Sequence, residues 1–178
     1  MTSPPELKTL FQNFLHHKNT TDNLDSLGPW LQRQVTAYSF PDANQIPFRS
    51  AAYTRNRVAQ ENSGHDQGFE ALIMRWDEQV QTSIHGHPEF SFYYVISGCF
   101  NMDLFAHAST GRLRLTESKR FVPGEAMWFL GQAGQYDNFI HRVTCLETGH
   151  TFHIYSEDAR KGLAFGGSIE YSCNFTPK

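Results

Sequence analysis

The stretch Ser83-Ile84-His85-Gly86-His87, continued by Phe90-Ser91-Phe92-Tyr93-Tyr94-Val95-Ile96 and closed by Ser97-Gly98, decides how this chain is read. Aromatic and β-branched residues dominate it, which is the composition of a strand. Side chains on a strand alternate with period two, so His85 and His87 point to one side. Two imidazoles on one side can hold one metal ion. A third nitrogen would complete a facial site with open positions for substrate or oxygen. The candidate third ligand is His141, in the apolar segment Phe139-Ile140-His141-Arg142-Val143. The chain has nine histidines, so spacing alone is a weak signal and the strand context carries the reading. His16 and His17 read as the end of a helix, where they suit the dipole. His65 and His107 read as solvated loop residues. His150, after Gly149, reads as a turn residue.

Outward from this stretch the pattern is of short apolar runs separated by Gly, Pro, Asn and Asp. The expected strands are 50–59, 70–76, 82–87, 90–97, 100–107, 112–120, 126–130, 139–146, 151–156 and 169–175. Many short, evenly spaced strands indicate a sandwich or a barrel. The first forty residues read instead as helical. Ser3 is a candidate N-cap, Pro4 suits the first helical position, and Glu6 completes a capping box. Leu7, Leu10, Phe11, Phe14 and Leu15 follow at helical spacing. After the loop 19–23, a turn at 24–27 leads into a second helix from Gly28-Pro29 through Val35. These helices are expected to pack outside the barrel.

At 178 residues the chain suits one domain with a sizeable core. The expected division is a helical segment at 1–45 and a β-barrel at 46–178. Aromatics make up 14%, which suits a barrel lined with large side chains. The formal net charge is −3 and no Lys/Arg cluster occurs, which argues against nucleic acid or an anionic membrane as partner. No apolar run has the length of a membrane span, and the start is no secretory signal. Cys99, Cys145 and Cys173 are widely spaced and odd in number, which suggests reduced thiols and a cytoplasmic setting.

The order of a His-x-His pair, a glycine hairpin at Gly98, the turn Pro123-Gly124-Glu125 and a late strand histidine resembles the cupins, whose fold is a β-barrel of the jelly-roll type. Several islands resemble a narrower group, the cysteine dioxygenase type I family. They are Tyr53-Thr54-Arg55-Asn56, Phe69-Glu70-Ala71-Leu72-Ile73-Met74-Arg75-Trp76, Ser83 to His87, His141-Arg142-Val143 and Phe152-His153-Ile154-Tyr155-Ser156. They occur in the family's order from about residue 50 to 160, and the helical N-terminus also suits it.

The resemblance implies a mainly β, cupin-type fold and a non-haem Fe(II) site on His85, His87 and His141. Many cupins add a glutamate four residues after the pair; here Ser91 stands there, as suits a three-histidine thiol dioxygenase. Glu89 would share the histidines' face on a regular strand, although Pro88 disturbs the alternation. The implied reaction adds both atoms of O2 to the sulfur of a small thiol and yields a sulfinate. A thiol sulfur and O2 held side by side on one ion react as an internal pair. Arg55 is implied as the anchor for the substrate carboxylate, a task that suits its planar fork; composition alone would make it a surface arginine. Tyr53 would line the same side of the site. Mercaptopropionate enzymes carry glutamine at the Arg55 position, so arginine favours a cysteine-like substrate.

Tyr155 matches a tyrosine whose hydroxyl points toward substrate and oxygen, with His153 orienting it. Thr151, where the family has serine, extends a grouping that period-two spacing supports independently. Mammalian members carry a cysteine cross-linked to that tyrosine. Ungapped counting from His87 puts Phe92 there, so no cross-link is expected and Phe92 is expected to shape the substrate pocket. Gly86 replaces a frequent aspartate facing away from the metal, with little effect expected on ligation. The resulting expectation is an enzyme of cysteine metabolism, with a small thiol and O2 as partners and a monomeric or weakly self-associating state. The alternatives are a dioxygenase of 3-mercaptopropionate or mercaptosuccinate, a non-catalytic metal-binding sensor, and a metal-independent cupin isomerase.

Overall fold

The computed structural model describes residues 5–21, 23–42, 45–61, 67–166 and 169–170. Ser3, Pro4, His65, Cys173 and most of the expected strand 169–175 lie outside them. Two helices come first, α1 (Pro5–Thr20) and α2 (Leu27–Thr36), joined through a 3-10 turn at Leu24–Ser26 that Asn23 caps. Nine strands follow among the described residues: β1 (Tyr53–Gln60), β2 (Gln67–Trp76), β3 (Ile84–His87), β4 (Phe90–His107), β5 (Leu113–Phe121), β6 (Ala126–Leu130), β7 (Asn138–Glu157), β8 (Ala164–Phe165) and β9 (Ile169–Glu170). No described helix is long and apolar enough to cross a membrane.

The hydrogen-bonded order is β1-β2-β7-β4-β5-β9, with β3 also on β7, β6 also on β4 and β8 on β3. Two strands organise everything else. β4 and β7 pair antiparallel from Ser91↔Tyr155 to Leu104↔His141. The hairpin expected at Gly98 is absent. Runs 90–97 and 100–107 form one strand, as do 139–146 and 151–156. The physical reason is a bulge. Gly98 has φ +83°, and pairing shifts register between Val95 and Phe100. A glycine at positive φ bends a strand without ending its pairing. A Cβ on Gly98 would lie 2.6 Å from the Glu147 carbonyl oxygen, and one on Gly149 would overlap the Ser97 carbonyl oxygen. The two glycines therefore let both strands turn the corner in contact. His150 is correspondingly no turn residue. It is buried in β7, and its Nδ1 lies 2.9 Å from Ser97 Oγ.

Both faces of the β2-β7-β4 region are covered, which explains why these strands read as nearly continuous apolar runs. Ala71, Ile73, Phe90, Phe92, Tyr94, Phe152 and Ile154 pack against Leu7, Phe11, Phe14, Leu31 and Val35 of the helices. The alternate residues Leu72, Met74, Trp76, Tyr93, Val95 and Tyr155 face the barrel interior with Phe100, Met102, Phe121 and Val143. The helices thus cover the outer face, as the sequence suggests. Gly149→Ala should lower stability by about 3 kcal/mol through overpacking at the corner, measured by urea unfolding; an unchanged midpoint would contradict the corner.

Candidate metal centre

His85 and His87 leave β3 on one face, and His141 arrives from β7 directly opposite His85. Their ligand atoms lie within 4.8 Å of one another. Each ring has a distinct tether. His85 Nδ1 donates to the Ser83 carbonyl oxygen and His141 Nδ1 to that of Phe139, both at 2.9 Å. Committing Nδ1–H this way leaves Nε2 as the bare donor atom, the arrangement found in metal-bound histidines. His87 is 1% exposed, yet neither of its ring nitrogens has a hydrogen-bond partner. A buried unpaired nitrogen is costly, and coordination is the chemistry that would satisfy it. The His87 ring lies between those of His141 and Tyr155, stacked at 4.8 and 4.9 Å.

Electrostatics agrees with this donor set. Burial, followed by the neighbouring His85, lowers the His141 pKa to about 3. Burial, His141 and His85 hold His87 well below the usual imidazole value. Burial also lowers His85, although its bond to Ser83 opposes the shift. All three are therefore neutral near pH 7, the protonation state that metals need. Imidazole donors suit iron, zinc, copper and nickel, and the residues fit a transition-metal ion. Glu89 does not belong to this group; its backbone carbonyl accepts from Gly131 N at 2.7 Å.

Gly86 matters more than its replacement of an aspartate suggests. A Cβ there would lie 2.5 Å from Asp137 Cα and 2.6 Å from the Tyr136 carbonyl oxygen. Its N–H donates to Leu163 O at 2.8 Å. A side chain has no room here, because β3 is clamped between two backbone segments.

A relay adjoins the histidines. Trp76 Nε1 donates to Thr151 Oγ1 at 2.7 Å, Thr151 Oγ1 lies 2.7 Å from His153 Nε2, and His153 Nδ1 lies 2.8 Å from the Tyr155 hydroxyl. Its direction follows by counting protons. Thr151 is fully buried, and its hydroxyl has no acceptor other than His153 Nε2 among the described residues. It therefore donates there, which puts the imidazole proton on Nδ1. That proton goes to the Tyr155 oxygen and frees the Tyr155 O–H to point into the site. Burial raises the Tyr155 pKa far above the usual phenol value, and burial followed by Arg55 keeps His153 well below the usual imidazole value. Both stay neutral.

Arg55 is half-buried on β1, 5.9 Å from the Tyr53 ring, which itself stacks on Trp76 at 4.6 Å. Its Nε is buried without a partner. The buried carboxylate of Glu70 is held by Arg57 Nε and Ala159 N, both at 2.9 Å. An outer cleft of about 630 Å³ runs past Arg49, Tyr53, Arg55 and His85. It meets a small inner space bounded by Tyr53, Arg55, His85, His141, His153 and Tyr155.

Phe92 does not line this site. It is 1% exposed in the helix-facing core, and Tyr93 takes the interior face, edge-on to His153 at 5.2 Å. Counting from His87 crosses Pro88-Glu89, where alternation breaks. The better signal was Ser91: if it faces the metal, Tyr93 shares its side. Trp76 was also missed as a relay member, although a buried indole N–H usually finds an acceptor.

No protein-family model matches the sequence, and no curated protein matches it significantly. Solved structures do. A cupin superfamily protein from Desulfitobacterium hafniense aligns with TM-score 0.50 and 13% identity over 68% of this chain and 92% of the other. The fold is that of the cupins. An RmlC-like cupin from Shewanella frigidimarina gives TM-score 0.45 and 16% identity over 67% of this chain and 91% of the other. Oxalate decarboxylase from Bacillus subtilis gives 0.42 and 16% over 56% and 24%. These likenesses are of fold.

His141 predicts an acid sensitivity. Its folded pKa of about 3 lies below the usual 6.5, so between those values the unfolded chain binds more protons. The stability from keeping it neutral is present above about pH 6.5 and is lost as pH falls toward 3, by about 1.4 kcal/mol per unit. Urea titrations of metal-free protein from pH 7 to 4 should show this slope, and His141→Asn should flatten it. An equal slope in the variant would contradict the assignment.

Proposed function

We propose that this chain is an Fe(II)-dependent thiol dioxygenase that converts a small carboxylated thiol to its sulfinate, RSH + O2 → RSO2H, with L-cysteine as the first substrate to test. The observation that carries the reading is the juxtaposition of a three-histidine, carboxylate-free cluster with an arginine whose buried Nε has no partner and a tyrosine that lines the same inner space. Ser91, at the position where many cupins have glutamate, is buried with its hydroxyl unpartnered, which suits open coordination positions. The resemblance of the sequence islands to cysteine dioxygenases supports the same reading.

Iron held by His85, His87 and His141 would bind the thiol as thiolate and activate O2. The chain's own residues do the rest. Arg55 takes the carboxylate through paired N–H donors. Tyr53 fills the space between Arg55 and Trp76 and excludes water there. Tyr155 holds its proton toward the reacting sulfur and oxygen, where a hydrogen bond stabilises developing negative charge. His153, Thr151 and Trp76 fix that proton's direction.

Oxygen uptake by iron-loaded protein, with the sulfinate identified by mass, tests this against L-cysteine, 3-mercaptopropionate and mercaptosuccinate. Arg55→Gln should raise KM and lower kcat/KM by about 100-fold, the loss expected for a partly buried charged pair. Tyr155→Phe should lower kcat by about 10- to 100-fold with KM little changed. No oxygen uptake with any of the three thiols, despite iron bound, would reject the activity.

A further inference from the structure

The outer cleft is wider than a cysteine-sized substrate needs, and its charge is unbalanced. Three arginines line it, Arg49, Arg55 and Arg160, and no aspartate or glutamate does. Arg160 is already neutralised. Its guanidinium grips both oxygens of Asp158, with Nε at 3.0 Å from each. That contact holds the Asp158 carboxyl at about 2. Arg49 and Arg55 have no carboxylate partner among the described residues. Arg49 is exposed at the mouth, where its backbone N–H donates to Thr54 Oγ1 at 3.0 Å and so fixes its position beside β1. Arg55 sits deeper, where the cleft meets the inner space.

We infer that the substrate is a dianionic thiol, whose first carboxylate pairs with Arg55 and whose second pairs with Arg49. This rests on the thiol dioxygenase reading for the sulfur, but the two-anion requirement comes from the arginines alone. Arg55 borders both the inner space and the outer cleft, whereas Arg49 borders the cleft alone, so the sulfur faces the histidines, one carboxylate faces Arg55 and the remainder occupies the cleft. A monocarboxylate leaves Arg49 facing water. An amino thiol with a single carboxylate likewise leaves Arg49 facing water. Arg49 is thus a specificity determinant outside the reaction itself.

Mercaptosuccinate and 3-mercaptopropionate form a matched pair, since they differ by one carboxylate. Anaerobic calorimetry on the iron-loaded protein reads binding without turnover. Mercaptosuccinate should bind about fivefold more tightly, the gain expected of one exposed charged pair. The preference should shrink with added salt. Arg49→Ala should bring the ratio of the two affinities to about one, and Arg49→Lys should keep part of it. Equal affinities in the wild type would overturn the inference, as would a ratio that survives Arg49→Ala. Succinate against propionate repeats the comparison without sulfur. A succinate preference with no thiol oxidation would uphold the two-anion cleft and sink the dioxygenase reading; thiol oxidation with no dianion preference would do the reverse.

Discussion

The antiparallel pairing of β4 with β7 is the constraint on which this molecule depends. The two strands stay bonded through a corner that only paired glycines permit, so one strand contributes to both ends of the site. β7 carries His141 near its start and Thr151, His153 and Tyr155 near its end. Had the corner been a hairpin, these groups would belong to separate strands with independent registers. Because it is a bend, His141 and the relay are fixed relative to each other by backbone hydrogen bonds, and β2 supplies Trp76 and Glu70 from the neighbouring register.

Burial then sets the chemistry. Inside the barrel, charged forms are penalised, so imidazoles remain neutral and phenols remain protonated. The three histidines are thereby ready as ligands, while His153 can pass on a hydrogen bond without taking up a charge. Arg55 is the exception: a cation at the border of the dry interior, with its buried Nε unpartnered. A cation in that position lowers the cost of bringing an anion next to the histidines.

Much of this was legible in the sequence, for identifiable reasons. The three-histidine cluster was readable because metal chemistry needs particular residue types, and a strand puts alternate residues on one face. The relay was readable because 151, 153 and 155 share a parity. The helices were readable from apolar spacing. What failed were breaks in regularity. Gly98 and Gly149 punctuate the sequence as turns do, but whether a glycine ends a strand or bends it depends on the backbone opposite. Phe92 was misplaced because counting passed through a proline. The demand for Gly86 was invisible, since the segments that crowd it come from residues 136–137 and 162–163, far along the chain.

The relay that begins at Trp76 is closed at its far end. An indole N–H gives a hydrogen bond but is no acid at any biological pH, and no solvent reaches Thr151. A proton leaving through Tyr155 has no route of replacement from behind; it returns by the way it left. The Trp76–Thr151–His153–Tyr155 line is therefore a store of a single proton and not a conduit from bulk water. Any proton that the proposed reaction set free or consumed for good would have to cross the arginine-lined mouth, together with the substrate that brought it.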